Sequence, residues 1–258
     1  QASPPTTEPM VALRSHVEQF CTTYGIQPFE LSDLLLHDEL LNIVSMLRAF
    51  QPSGDTFDER FVFVGPSISR RAETNDFPLD RLGEQPVLYI SLGTAFNNWL
   101  DFFQMCLTAF GGQPWQVVMS IGTKIDQSAL GSIPDNFIVD SYVPQLAVLK
   151  HTDVFVTHGG MNSVMEALYY GVPLVAIPQM PEQAITAERV AQLGVGVAIE
   201  KTAVTQTTLL SAVATVANDP QFREKAQCMQ EVVRSAGGYQ QAADAILQFK
   251  KSTTKLKG

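Results

Sequence analysis

The sequence predicts an α/β protein built on a doubly wound parallel sheet, and two observations predict it. From Pro86 onward, compact apolar runs alternate with segments of helical period, and that alternation folds as parallel strands with crossover helices. Glycine, proline and asparagine stand at the ends of these runs, where the chain must turn.

Residues 10–24 read as a helix, with Val11, Leu13, Val17, Phe20 and Cys21 at mostly helical spacing and Gly25 as the stop. An apolar run follows at Leu34 to Leu36. Residues 41–47 and 60–64 then read as two buried strands, separated by a turn around Pro52 and Gly54 and closed by Gly65 and Pro66. One helix and two strands are not self-sufficient in water, so this part is expected to need more sheet. Residues 67–85, with Arg70, Arg71, Glu73, Asp76, Asp80 and Arg81, fit a polar interdomain linker.

The alternating part then reads strand 86–90, helix 99–109, strand 115–119, strand 137–139, helix 145–150, strand 154–157, helix 161–169, strand 174–177, helix 182–193 and strand 196–199. Three helices follow at 205–216, 221–235 and 240–250, broken at Pro220 and at Gly237 with Gly238. The domain expectation is 1–66, linker 67–85, a ligand-binding domain over 86–238, and a C-terminal helix and tail over 239–258.

Composition excludes several classes. The 258 residues carry a formal charge of −9, which opposes nucleic-acid binding through lysine and arginine. No apolar run reaches the roughly 18–20 residues of a membrane span. Cys21, Cys106 and Cys228 are odd in number and far apart, which suggests neither a disulfide framework nor a zinc site and fits a cytoplasmic protein. The proline- and threonine-rich opening, residues 1–9, has no signal-peptide pattern and looks like a loop cut open, so a fragment is expected.

In an open parallel sheet ligands bind beyond the carboxyl ends of the strands, which directs attention to three strand-to-loop junctions. At the first, Gly93 allows close backbone approach and Ser91 and Thr94 offer hydroxyls; tight packing alone also explains such a turn. At the second, His158, Gly159 and Gly160 open a helix carrying Asn162, Ser163 and Glu166. Unpaired N–H groups at a helix N-terminus suit phosphate, and Glu166 suits ribose hydroxyls. A polar helix face in water is the plainer reading. At the third, Glu182 and Gln183 suit a hydroxyl-rich ligand, or Glu182 serves only as a first-turn acid. Upstream, Tyr142 offers a ring for a flat base, beside Val143 and Gln145.

These segments together resemble the nucleotide-sugar signature of family 1 glycosyltransferases, the UDP-glycosyltransferase superfamily. The matching stretches are 142–149 (YVPQLAVL), 155–163 (FVTHGGMNS) with Glu166, 171–173 (GVP), and Glu182 with Gln183, in the family's order and near its separations. Residues 60–66 (RFVFVGP), 87–94 (VLYISLGT) and 237–244 (GGYQQAAD) extend the likeness, which is nearest to bacterial enzymes that glycosylate macrolides or flavonoids.

The resemblance implies the GT-B architecture of two Rossmann-like domains, with residues 1–66 as the last elements of the N-terminal acceptor domain. It implies that Tyr142 stacks on the base with Val143 and Gln145 framing it, and that Glu166 holds the ribose. His158, Gly160 and Asn162 would grip the diphosphate, with hydroxyls from Ser163, Ser91 and Thr94 and close approach at Gly93. Glu182 and Gln183 would hold the hexose. Tyr142 stands where tryptophan is usual, Glu182 where aspartate is usual, and Met161 where plant relatives have an aromatic residue.

The implied reaction is metal-free inverting transfer of a hexose, glucose from UDP-glucose, to a hydroxyl of a hydrophobic small molecule. No cofactor is expected, the UDP-sugar being a substrate, and the sequence has no Asp-x-Asp triplet to offer a cation. The general base, a histidine oriented by an aspartate, belongs to the acceptor half. His16 and His37 do not match its motif. This chain alone is therefore expected to bind donor and not to transfer, with the acceptor-domain fragment of the same protein as its partner. Two other readings stay open: a noncatalytic sugar-nucleotide-binding module, and a GT-B sugar-nucleotide epimerase.

Overall fold

The computed structural model describes residues 8–27, 29, 39–68, 77–95 and 97–255. The apolar run Leu34 to Leu36, His37, residues 1–7 and the linker residues Arg70, Arg71, Glu73 and Asp76 lie outside them. Contacts divide the chain into two units, residues 1–42 and 43–258.

The first unit contains helix α1 (Glu8–Tyr24), which ends where Ile26 donates its N–H to the Cys21 carbonyl. Cys21 is buried, whereas Val11, Leu13 and Phe20 of the expected apolar stripe are exposed, as is Tyr24 at the helix end.

Two short strands follow, β1 (Asn42–Val44), which starts at the unit boundary, and β2 (Phe61–Phe63), and they pair with each other. Both are half-buried rather than buried as expected. The segment between them is tied down by Arg48, whose guanidinium donates to the carbonyls of Gly54, Phe57 and Phe61 at 2.8–2.9 Å. Leu47 and Phe50 are buried in the same cluster as Tyr89 and Phe155 of the large sheet. The expected boundary at residue 66 and the contact boundary after Asn42 therefore differ, because these two apolar side chains pack with the large sheet. Of the expected linker, Phe77, Leu79 and Leu82 also pack against that cluster.

The large sheet contains β3 (Val87–Ser91), β4 (Gln116–Ser120), β5 (Phe137–Asp140), β6 (Val154–Thr157), β7 (Leu174–Ala176) and β8 (Gly196–Ala198). The order is β5-β4-β3-β6-β7-β8 and every pair is parallel. The helices are α2 (Leu100–Phe110), α3 (Gln145–Leu149), α4 (Met161–Tyr169), α5 (Pro181–Gln192), α6 (Gln206–Asn218), α7 (Pro220–Ser235) and α8 (Gly238–Lys255). The sheet is parallel and doubly wound, as the alternation predicts, and its strand order is Rossmann-like, with the switch point between β3 and β6.

Side-chain alternation along each strand divides the core into two layers. Leu88 and Ile90 of β3 and Val156 of β6 pack with Phe102, Phe103 and Cys106 of α2 and with Leu209 and Val213 of α6. Val87 and Tyr89 of β3 and Phe155 of β6 pack on the other face with Val148 of α3, Val164 and Leu168 of α4, and Ala226 and Val233 of α7. The Tyr89 and Phe155 rings stack across β3 and β6 at 4.6 Å between centroids and 9° between planes. Their contact clamps the two strands that border the switch point. Helices α6 and α7 start at side-chain caps, Thr205 with Thr208 and Asp219 before Pro220.

Phe155→Ala should destabilise this unit by about 3–5 kcal/mol, read as a shifted midpoint in denaturant unfolding. An unshifted midpoint would mean that the ring stack does not hold β3 and β6 together.

Candidate functional site

The loops that follow β3 and β6 meet at the switch point. Gly93, in the first loop, has a left-handed φ of +76°. A Cβ there would lie 2.6 Å from the His158 ring, and one at Gly160 would collide with His158 Nε2. Two side-chain-free positions thus let the imidazole lie between the loops. His158 is half-buried, and Thr157 Oγ1 sits 3.4 Å from its Nδ1. Burial holds its pKa below the ordinary 6.5, opposed by the Glu182 carboxylate, so the ring is neutral at neutral pH.

Helix α4 begins at Gly160 with no side-chain cap and no acid in its first turn. Its leading N–H groups, those of Met161, Asn162 and Ser163, precede the first intrahelical bond, from Val164 N–H to the Gly160 carbonyl. Such a terminus carries about half a positive charge and suits an anion. Asn162 is exposed and Ser163 half-buried beside it.

One turn further on, Glu166 is fixed from α3: Gln145 Nε2 donates to Glu166 Oε2 at 2.6 Å and approaches Ser163 Oγ at 3.4 Å. The Tyr89 hydroxyl donates to Gln145 Oε1 at 3.3 Å, with its pKa raised by burial. This chain from the core strand to the carboxylate was missed by sequence reasoning, which read Tyr89 only as a strand residue. Nothing in the local pattern marks one buried tyrosine in a strand as part of a polar relay.

The remaining expected residues divide into two groups. Tyr142 is 66% exposed, its backbone N–H held by Asp140 Oδ1 at 3.0 Å, so its ring is open to solvent, whereas neighbouring Val143 is buried. Thr94 is exposed, but Ser91 is only 5% exposed and its hydroxyl accepts the Gly93 N–H at 3.3 Å, shaping the turn. Glu182 is exposed. Gln183 is buried, with Oε1 accepting the Gln179 N–H at 2.8 Å and Nε2 donating to Glu182 Oε1 at 3.4 Å. The structure thus gathers Gly93, His158, Gly160, Ser163, Glu166 and Gln145 at the switch point and ties Gln183 into the loop after β7.

Among the described residues no three or more His, Cys, Asp or Glu side chains are grouped to hold a metal ion, and no helix is long and apolar enough to cross a membrane. Cys21, Cys106 and Cys228 are free thiols.

Residues 72–234 match the family UDP-glucoronosyl and UDP-glucosyl transferase, and the chain belongs to that family. It is 50% identical over 210 residues to the NDP-glycosyltransferase YjiC of Bacillus licheniformis, covering 81% of this chain and 53% of the relative. The chain thus spans about half the length of that relative. In structure it is similar to the glycotransferase of kitacinnamycin, with TM-score 0.80 and 36% identity over 94% of this chain and 62% of that one. It is similar also to CalG4, the calicheamicin glycosyltransferase, with TM-score 0.77 and 35% identity over 98% and 63%. The large parallel sheet with its flanking helices is the Rossmann-like part of the GT-B glycosyltransferase fold.

The lowered His158 pKa makes stability depend on pH with a definite sign. The folded chain resists protonating this ring, so stability is full above about pH 6.5 and falls as pH drops below it, where the unfolded chain takes up the proton more readily. Unfolding midpoints measured from about pH 8 to 5 should show this decline, and His158→Gln should flatten it.

Proposed function

We propose that this chain holds the donor of a glycosyltransferase, a nucleoside-diphosphate sugar, in the crevice at the switch point. The observation that carries this reading is the uncapped start of α4 beside a half-buried neutral imidazole, one turn before a carboxylate fixed by Gln145. In it the N–H groups of the first turn and the His158 ring receive the diphosphate, with Thr94, Asn162 and Ser163 adding donors. Glu166 accepts from the ribose hydroxyls and Tyr142 covers the base. Glu182 meets the hexose hydroxyls, and Gln183 holds the loop that presents it.

The proposed reaction of the whole protein is metal-independent and inverting, and uses no cofactor. An acceptor hydroxyl oxygen attacks the anomeric carbon of UDP-glucose, and the bond from that carbon to the diphosphate oxygen breaks. UDP leaves with the electron pair, and the acceptor's proton passes to a general base on the acceptor side. Developing charge on the leaving diphosphate meets dipoles already aimed at it, which favours the transition state over the ground state. The acceptor is a hydrophobic small molecule such as a flavonoid or macrolide. Its pocket and the base belong to the length that relatives have beyond this chain, so residues 1–66 serve as acceptor-side elements, α8 returns to that side, and this chain alone binds without transferring. The working compartment is the cytoplasm.

Glu166→Ala should weaken UDP and UDP-glucose alike, by roughly ten- to a hundredfold for loss of a charged hydrogen-bond acceptor, read by titration calorimetry. Glu182→Ala should weaken only UDP-glucose. Equal losses for both ligands from both variants would overturn the assignment of base and sugar ends. For the activity, the whole protein with UDP-glucose and a flavonoid or macrolide should yield a glycoside, and no product with any sugar nucleotide would refute it.

A further inference from the structure

We propose that Asn97 is a positioning residue for the diphosphate end of this site, an inference that rests on the crevice binding a nucleoside diphosphate. Asn97 lies between β3 and α2 and is 2% exposed. Its Nδ2 donates to the Gly93 carbonyl at 2.8 Å, while the Gly93 N–H is held by Ser91 Oγ at 3.3 Å. The Gly93 residue is therefore gripped on both sides, in the left-handed conformation that brings its backbone against His158.

Two further features show that the chain is shaped around this amide. Gly122, in the loop after β4, faces it so closely that a Cβ there would collide with Asn97 Nδ2. Asn97 Oδ1 is buried and finds no donor among the described residues. A buried unpaired acceptor costs about 1–3 kcal/mol, and a side chain retained at that cost points to the work of its other end. The same loop is braced a second time by Lys124 Nζ, which donates to the Ala95 carbonyl at 2.8 Å.

Asn97 thus sets where Gly93 stands, and Gly93 sets the gap between the first loop and the His158 ring. Loss of the amide lets the Gly93 peptide rotate and opens the wall of the diphosphate subsite. The ribose and base end, held from α3 by Gln145 and Glu166, is not altered.

The test compares UDP with uridine on this chain, by calorimetry for the first and NMR titration for the second. Asn97→Ala should weaken UDP about tenfold, the loss of one hydrogen bond, and leave uridine unchanged. Thermal melts accompany the titrations, and Asn97→Ser, too short to reach the Gly93 carbonyl, carries the same comparison if the alanine variant does not fold. Unchanged UDP affinity overturns the inference. So does an equal loss for uridine, which is what general loosening of the domain produces. If the unsubstituted chain binds no UDP, the donor-site reading itself falls and this inference with it.

Discussion

The contact between the bare backbone of Gly93 and the His158 ring is the constraint on which the site depends. It brings together loops from two parallel strands that are neighbours because the strand order reverses there. A side chain at either Gly93 or Gly160 would push the ring away. Both loops rest on the same foundation, the stacked rings of Tyr89 and Phe155 in the layer below. Rigid core packing is thereby converted into a fixed separation between groups at the surface, which is what an anion site needs if its dipoles are to act without rearranging.

Polar order follows from the same core. The Tyr89 hydroxyl reaches Gln145, Gln145 reaches Glu166, and the carboxylate comes to rest one turn along the helix whose N-terminus faces the crevice. The proposed donor site is thus local in character, on a chain whose net charge is −9. A diphosphate needs only the dipole of α4 and a few backbone donors, so overall acidity does not oppose it.

The parallel sheet was legible because its strands are uninterrupted apolar runs between helices of clear period, whereas the order of its strands came only from the structure. Helix ends were legible to within a few residues: α4 is read as 161–169 and observed as Met161–Tyr169, whereas α8 runs on past residue 250 to Lys255. Legibility declined where a side chain's partner lies far along the chain. Ser91 and Gln183 look like free ligands in the sequence, yet their polar atoms bond the backbone of Gly93 and Gln179. The packing of Leu47 and Phe50 with the large sheet was hidden for the same reason, since no local pattern says which layer an apolar side chain will join.

The most direct test of the account is a crystal structure of this chain with UDP. The diphosphate should lie within hydrogen-bond distance of the N–H groups at the start of α4, with the His158 ring beside it and the ribose hydroxyls on Glu166. UDP ordered elsewhere on the molecule, or a ribose turned away from Glu166 with the diphosphate off the α4 N-terminus, would contradict it.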